Sequence, residues 1–226
     1  MTDADPRTPS ARLSAGEAEN RAFGGVADAA PMGLAAFALS TFLFSVFNAG
    51  WTSGTTAWLS FGFVAGGLVQ LLAGMWSFRN RNLFGTVAFS MYAAFYFGLS
   101  LYFTLVAPSA DAAAQRNDLA WILLAFALFN FYLLLWSSQV NETLFAMFFF
   151  LGVTEVVLCI GFFVDNSTAV RVGGYLGVIT ALIAWYAGSA ALINGLLRRD
   201  LVKVGGPIRF DLERRLAHRR VAAPER

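Results

Sequence analysis

Glu155 is the one Asp or Glu that lies deep inside a long apolar run. A charged side chain in such a place costs about 2.5–3.5 kcal/mol on membrane-insertion scales, so a cavity, a partner or a proton must offset it. Leu151 precedes it by one helical turn and Cys159 follows by one, which puts all three on one face. Glu155 is therefore expected to gain and lose a proton as part of its role; a structural carboxyl, permanently protonated or bonded to Gln70, is the competing reading.

A second pattern lies near the start of the apolar region. Phe37, Thr41, Phe44 and Asn48 fall at i, i+4, i+7 and i+11, so one helical stripe alternates rings with polar side chains. That face suits a narrow polar path, while interhelical hydrogen bonds are the alternative for Thr41 and Asn48. A faint internal repeat adds two more polar candidates. Phe44, Phe47 and Asn48 recur as Phe126, Phe129 and Asn130, and Gly67 and Gln70 resemble Gly152 and Glu155. With three helices per half, such a repeat implies halves of opposite orientation; coincidence in a Phe- and Gly-rich composition is the other explanation.

Several chemistries lack their residues. The single cysteine, Cys159, has no partner for an internal disulfide, and the only histidine, His218, stands in the C-terminal tail. The apolar region offers no ligand set for zinc, haem or iron–sulfur, no phosphate-cradling loop, no nucleophile elbow and no paired carboxylates. No cofactor, metal, nucleic-acid partner or enzymatic activity is expected.

The elements that must position these residues follow from composition. With 58% hydrophobic and 13% charged residues in 226, the chain lies far outside the range of soluble domains. Six apolar runs, at about 31–50, 57–78, 83–106, 119–138, 143–164 and 172–197, are each long enough to cross a bilayer as a helix. They are too long, and apolar on too many sides, for barrel strands. The expected organisation is a disordered N-terminal tail over residues 1–30, a six-helix membrane domain over 31–197 and a basic tail over 198–226. That last tail carries the pairs Arg214-Arg215 and Arg219-Arg220 and is expected to form a basic amphipathic helix on anionic lipid, or to stay solvated. Of the 16 Lys and Arg, 14 fall on the side of the termini and only Arg116 and Arg171 on the other. The positive-inside rule thus puts both termini in the cytoplasm. Gly62, Gly66 and Gly67, and Gly173, Gly174 and Gly177, offer faces for close helix packing.

Particular strings then resemble a known family. Asp28-Ala29-Ala30-Pro31-Met32-Gly33-Leu34, followed by Phe37 and Asn48, resembles the N-P-A-P-L-G-L signature of the acetate uptake transporter family, which takes in bacterial acetate and succinate permeases of the SatP type and fungal ammonia/acetate proteins. Gly66-Gly67-Leu68-Val69-Gln70, Asn82-Leu83-Phe84-Gly85 with Ser90, Tyr92 and Phe95, Phe149-Phe150-Leu151 and Gly173-Gly174-Tyr175-Leu176-Gly177 extend the likeness over all six runs.

The resemblance implies a multi-pass protein of the plasma (inner) membrane, assembled as a homohexamer of protomers that each contain a pore. It implies passage of acetate, and sometimes succinate, coupled to protons or through a passive channel; a non-transporting sensor of the same fold is a further possibility. The family's hydrophobic constriction maps onto Phe37, Tyr92 and Leu151, and its substrate-binding signature onto Asp28, Pro31, Met32, Gly33 and Leu34. Thr41, Asn48, Gln70, Asn130 and Glu155 are the polar candidates along the path. Asp28 stands where the signature has Asn, Ala29 where it has its first Pro, and Glu155 where an apolar residue is usual.

Overall fold

In a computed structural model, which describes residues 26–54 and 56–208, the described residues form no strand and contain six helices long and apolar enough to cross a membrane. They are α1 (Ala30–Asn48), α2 (Trp58–Arg79), α3 (Leu83–Ser109), α4 (Ala112–Ser137), α5 (Glu142–Phe163) and α6 (Ser167–Leu197). Residues 1–25 of the expected N-terminal tail, and the basic pairs of the C-terminal tail, lie outside the described residues.

Four of the five connectors, those before α3, α4, α5 and α6, end in a side chain that caps the next helix. Asn82 Oδ1 accepts from Gly85 N at 2.9 Å, Asp111 Oδ1 from Ala114 N at 2.8 Å, Asn141 Oδ1 from Leu144 N at 2.8 Å and Asn166 Oδ1 from Ala169 N at 3.0 Å. Caps also explain two differences from the apolar runs. Helix α4 begins at Ala112 rather than near residue 119, and α6 at Ser167 rather than near 172. In both, the helix starts at its capping residue and passes through polar turns before hydropathy rises.

Small residues set the packing. A Cβ on Gly66 would stand 2.5 Å from the Tyr96 ring, and one on Gly67 2.5 Å from the Phe97 ring, so α2 lies directly against α3. On α6, Gly173 accommodates Leu158 of α5, Gly174 meets the backbone of Asn48 and Ala49, and Gly177 meets the Ser45 hydroxyl. Helix α6 therefore forms seams with both α1 and α5, lined further by Ala181, Ala184 and Ala187. The large side chains left outside, such as Phe78, Leu105, Leu128 and Phe131, present an apolar exterior suited to lipid or a neighbouring subunit.

Two spans depart from regular α-helix. The middle of α2, Gly62–Val69, is π-helical, as is Tyr102–Val106 near the end of α3. The wider turns of α2 coincide with the glycines that meet Tyr96 and Phe97; π turns are frequent at functional sites.

After α6 the chain reverses at Arg198, whose φ of 51° is left-handed, and runs back without helix to Ile208. This strap is firmly held. Asn194 Nδ2 donates to Val202 O at 2.8 Å while its Oδ1 accepts from Leu201 N and Val202 N, both at 2.9 Å. Tyr186 donates its hydroxyl to Lys203 O, Thr143 donates to Val204 O from both its amide and its hydroxyl, and Ile208 N donates to Ser138 O.

Candidate functional site

Where the two ends of the bundle domain meet, a cavity of about 300 Å³ opens between α1, α3, α5 and α6. Its polar lining comes from Asp28, Asn82, Asn141 and Asn194 at the rim; Leu34, Phe89, Met147 and Phe148 form its apolar floor. We call it the proximal vestibule, because Asp28 and Val204, near the two ends of the described chain, both line it. Below it lies a void of about 10 Å³, bounded by the same Leu34, Ala88, Phe89, Met147 and Phe148 together with Phe37, Gln70 and Tyr92. That is room for about one water-sized group. The vestibule thus points at the Phe37–Tyr92 pair.

Phe37, Tyr92 and Leu151 come from α1, α3 and α5 and are 3%, 2% and 5% exposed, all within one hydrophobic cluster. The Phe37 and Tyr92 rings meet edge to face with centroids 5.4 Å apart. Tyr92 is further fixed by Phe126 and Phe129 of α4, at 5.9 and 5.7 Å. With these rings the cluster forms an apolar plug below the vestibule.

Beside this plug lies the polar cluster. The Tyr92 hydroxyl is 3.1 Å from Asn130 Oδ1 and 3.1 Å from Glu155 Oε1, and Asn130 Nδ2 donates to Phe148 O at 2.9 Å. Glu155 Oε2 has no protein partner. The hydroxyl has one hydrogen for two acceptors. When Glu155 carries a proton it can donate to Tyr92, which then donates to Asn130, and the chain of bonds closes at Phe148 O. When Glu155 is ionised, Tyr92 turns its hydrogen to the carboxylate and Asn130 Oδ1 loses its donor. A proton on Glu155 therefore rearranges the hydroxyl within the constriction.

The bond between Gln70 and Glu155 does not form. Gln70, 1% exposed, lines the small void instead, with its Oε1 unpartnered. Thr41 shares a 2.8 Å hydrogen bond with the Tyr96 hydroxyl, an interhelical tie between α1 and α3. Asn48 lies at the far end of α1, facing a second cavity. Of the signature residues, Asp28 and Leu34 line the vestibule, Pro31 starts α1, Met32 points outward at 39% exposure, and Gly33 packs under the Phe89 ring, which a Cβ would meet at 2.6 Å. The Asp28 carboxylate accepts from Ala30 N at 3.0 Å, so it already occupies one of the free amides at this helix start.

Tyr96, the rim asparagines and the strap residue Val204, which also lines the vestibule, were not anticipated from sequence. Asn82 and Asn141 are local helix caps and Asn194 lies in the last turn of α6. Only the bundle's closure brings them to one rim.

Residues 12–197 match the family model described as the GPR1/FUN34/yaaH family. The chain is 36% identical over 173 residues to accumulation of dyads protein 2 of Saccharomyces cerevisiae, covering 74% of this chain and 61% of that one. It is 32% identical over 187 residues to acetate permease A of Emericella nidulans, covering 74% and 62%. The chain thus spans about three fifths of the length of these fungal relatives. It is 26% identical over 180 residues to the succinate-acetate/proton symporter SatP of Escherichia coli K12, covering 80% and 96%. A solved structure of the bacterial acetate channel SatP superposes with a TM-score of 0.75 at 26% identity, covering 80% of this chain and 99% of that one. The shared architecture, with its six apolar spans, is that of a multi-pass membrane protein.

Proposed function

The chain belongs to the GPR1/FUN34/yaaH family, and from that membership and the site's geometry we propose that it passes small monocarboxylates such as acetate across a membrane. The observation that carries the proposal is the serial arrangement of an open vestibule, a water-sized void and the Phe37–Tyr92 pair beside Leu151. A short acid is small and apolar enough to slip between rings that stop a hydrated ion. The Tyr92 hydroxyl can donate a hydrogen bond to its carboxyl group in passing.

Glu155 supplies the coupling element in this proposal. A proton arriving with the acid, or ahead of it, changes which acceptor Tyr92 serves, so proton occupancy and the state of the constriction move together. The charge distribution supports cytoplasmic termini in an inner or plasma membrane, and we propose a homohexamer in which each protomer keeps its own path.

A passive channel is the second reading, favoured by the vestibule and the small void sharing five lining residues down to the Phe37–Tyr92 pair. Uptake of labelled acetate into proteoliposomes, with and without a pH gradient, separates the two. Gradient-dependent uptake that loses its pH response in Glu155→Gln supports coupled transport through Glu155, and gradient-independent uptake supports a channel. Absence of flux would overturn transport and leave a non-transporting sensor. Competition by short-chain acids, succinate included, then ranks substrates.

A further inference from the structure

The mouth opposite the termini holds a cavity of about 230 Å³ between the end of α1, the first turns of α4 and α6, and the end of α5. Its lining includes Asn48, Arg116, Phe162, Asp165 and Arg171. Resting on the transport reading above, we propose that this distal pocket is a carboxylate-binding site, with Arg171 and Asn48 as the groups that hold the anion.

Three independent observations converge on it. The first is charge placement. Counted along the sequence by the alternation of the six spans, fourteen of the sixteen basic residues fall on the side of the termini, and the two exceptions, Arg116 and Arg171, line this one pocket together. Basic residues are disfavoured on that side of a membrane protein, so their pairing in a cavity calls for a local reason.

The second is an uncompensated cation. Arg116 Nε is 3.1 Å from Asp165 Oδ1, so those two charges offset each other. Arg171 has no ion pair among the described residues. Its side chain lies over the end of α1, where a Cβ on Gly50 would be 3.5 Å from Nε, and Gly50 with its φ of 75° makes the turn there.

The third is an unpartnered buried amide. Asn48 is 5% exposed, lines the pocket and has no hydrogen-bond partner for Nδ2. An orphaned buried donor of this kind is destabilising unless something accepts from it. A carboxylate has the complementary valence: one oxygen for the amide, the other for the guanidinium fork. The Asp165 carboxylate is engaged with Arg116, so the pocket presents a net positive charge and is mismatched for a cation.

Asn48 also ends the stripe that begins at Phe37 and runs through Thr41 and Phe44. A carboxylate held there stands at the far end of the same helical face as the constriction. The site thus loads or receives the acid on the side opposite the vestibule.

The test uses the full chain. Saturation-transfer NMR with acetate in detergent measures binding directly, and proteoliposome uptake gives the half-saturating concentration. Arg171→Gln is expected to weaken acetate binding roughly tenfold and to raise half-saturation by a like factor with little change in maximal rate. Arg171→Lys, which keeps the charge but loses the fork, falls between. Asn48→Asp, isosteric and negatively charged, should abolish the distal signal. Acetate binding unchanged in both Arg171→Gln and Asn48→Asp would overturn the site. A wild-type chain that binds acetate through Arg171 yet shows no flux would uphold the site and sink the transport reading. Should Asn48→Asp fail to fold, Arg171→Gln alone decides, since Arg171 is exposed.

Discussion

The Tyr92 hydroxyl on α3 lies 3.1 Å from Glu155 Oε1 on α5, and it reaches Asn130 of α4 at the same distance. Three helices are thereby joined through one hydroxyl group. Tyr92→Phe removes it and takes from the buried Asn130 and Glu155 their shared partner, a loss of about 1–3 kcal/mol. The thermal midpoint of the purified protein should fall, and the pH response of acetate uptake should flatten. A variant that keeps both midpoint and pH response would mean that Glu155 and Asn130 are satisfied without Tyr92.

Phe37→Ala is expected to open the proposed constriction from the vestibule side, because Phe37 bounds the small void and meets the Tyr92 ring edge to face. Removing a buried ring costs about 3–5 kcal/mol, so expression at reduced temperature is advisable. Surviving protein should admit bulkier acids. Competition by benzoate against labelled acetate checks this, and an unaltered ranking of acids would count against Phe37 as a size filter.

Asp28→Asn keeps the hydrogen bond to Ala30 N while removing a negative charge from the vestibule rim. An anion approaching from that side meets less repulsion, most of all at low ionic strength. The half-saturating acetate concentration should drop a few-fold in dilute buffer, and the gap between variant and wild type should narrow as salt is added. A gap that ignores salt would point to a packing change instead.

Asn194→Ala cuts all three hydrogen bonds that pin Leu201 and Val202. The strap should loosen while the six spans stay intact. Limited proteolysis is expected to cut between residues 201 and 208 faster than in wild type. Since Val204 lines the vestibule, uptake should rise if the strap narrows that mouth; faster cleavage with unchanged uptake would make the strap a structural clasp only.

Much of the fold was legible because its signals are local. Runs of apolar residues specify spans, whereas the Asn and Asp caps that start the helices were not read from sequence. The starts of α4 and α6 were misplaced because hydropathy detects contact with lipid, whereas the helices begin at Asp111 and Asn166 in polar surroundings. Glu155 stood out from sequence because a lone carboxyl in an apolar run is anomalous by itself. Its partner did not, since Tyr92 and Glu155 are 63 residues apart and only the packing of α3 on α4 and α5 brings them together. The distal pocket was hidden for the same reason: Arg116 and Arg171 read as the two exceptions to a topology rule until the bundle put them in one cavity.

The long seam between α1 and α6 also constrains how the protein is made. Helix α1 is synthesised before α6, yet has it as a principal neighbour, with Gly174 and Gly177 fitting against Ala49 and Ser45. The buried Ser45 and Asn48 side of α1 is therefore covered only once α6 has been inserted, so closure of this seam is a late step of assembly.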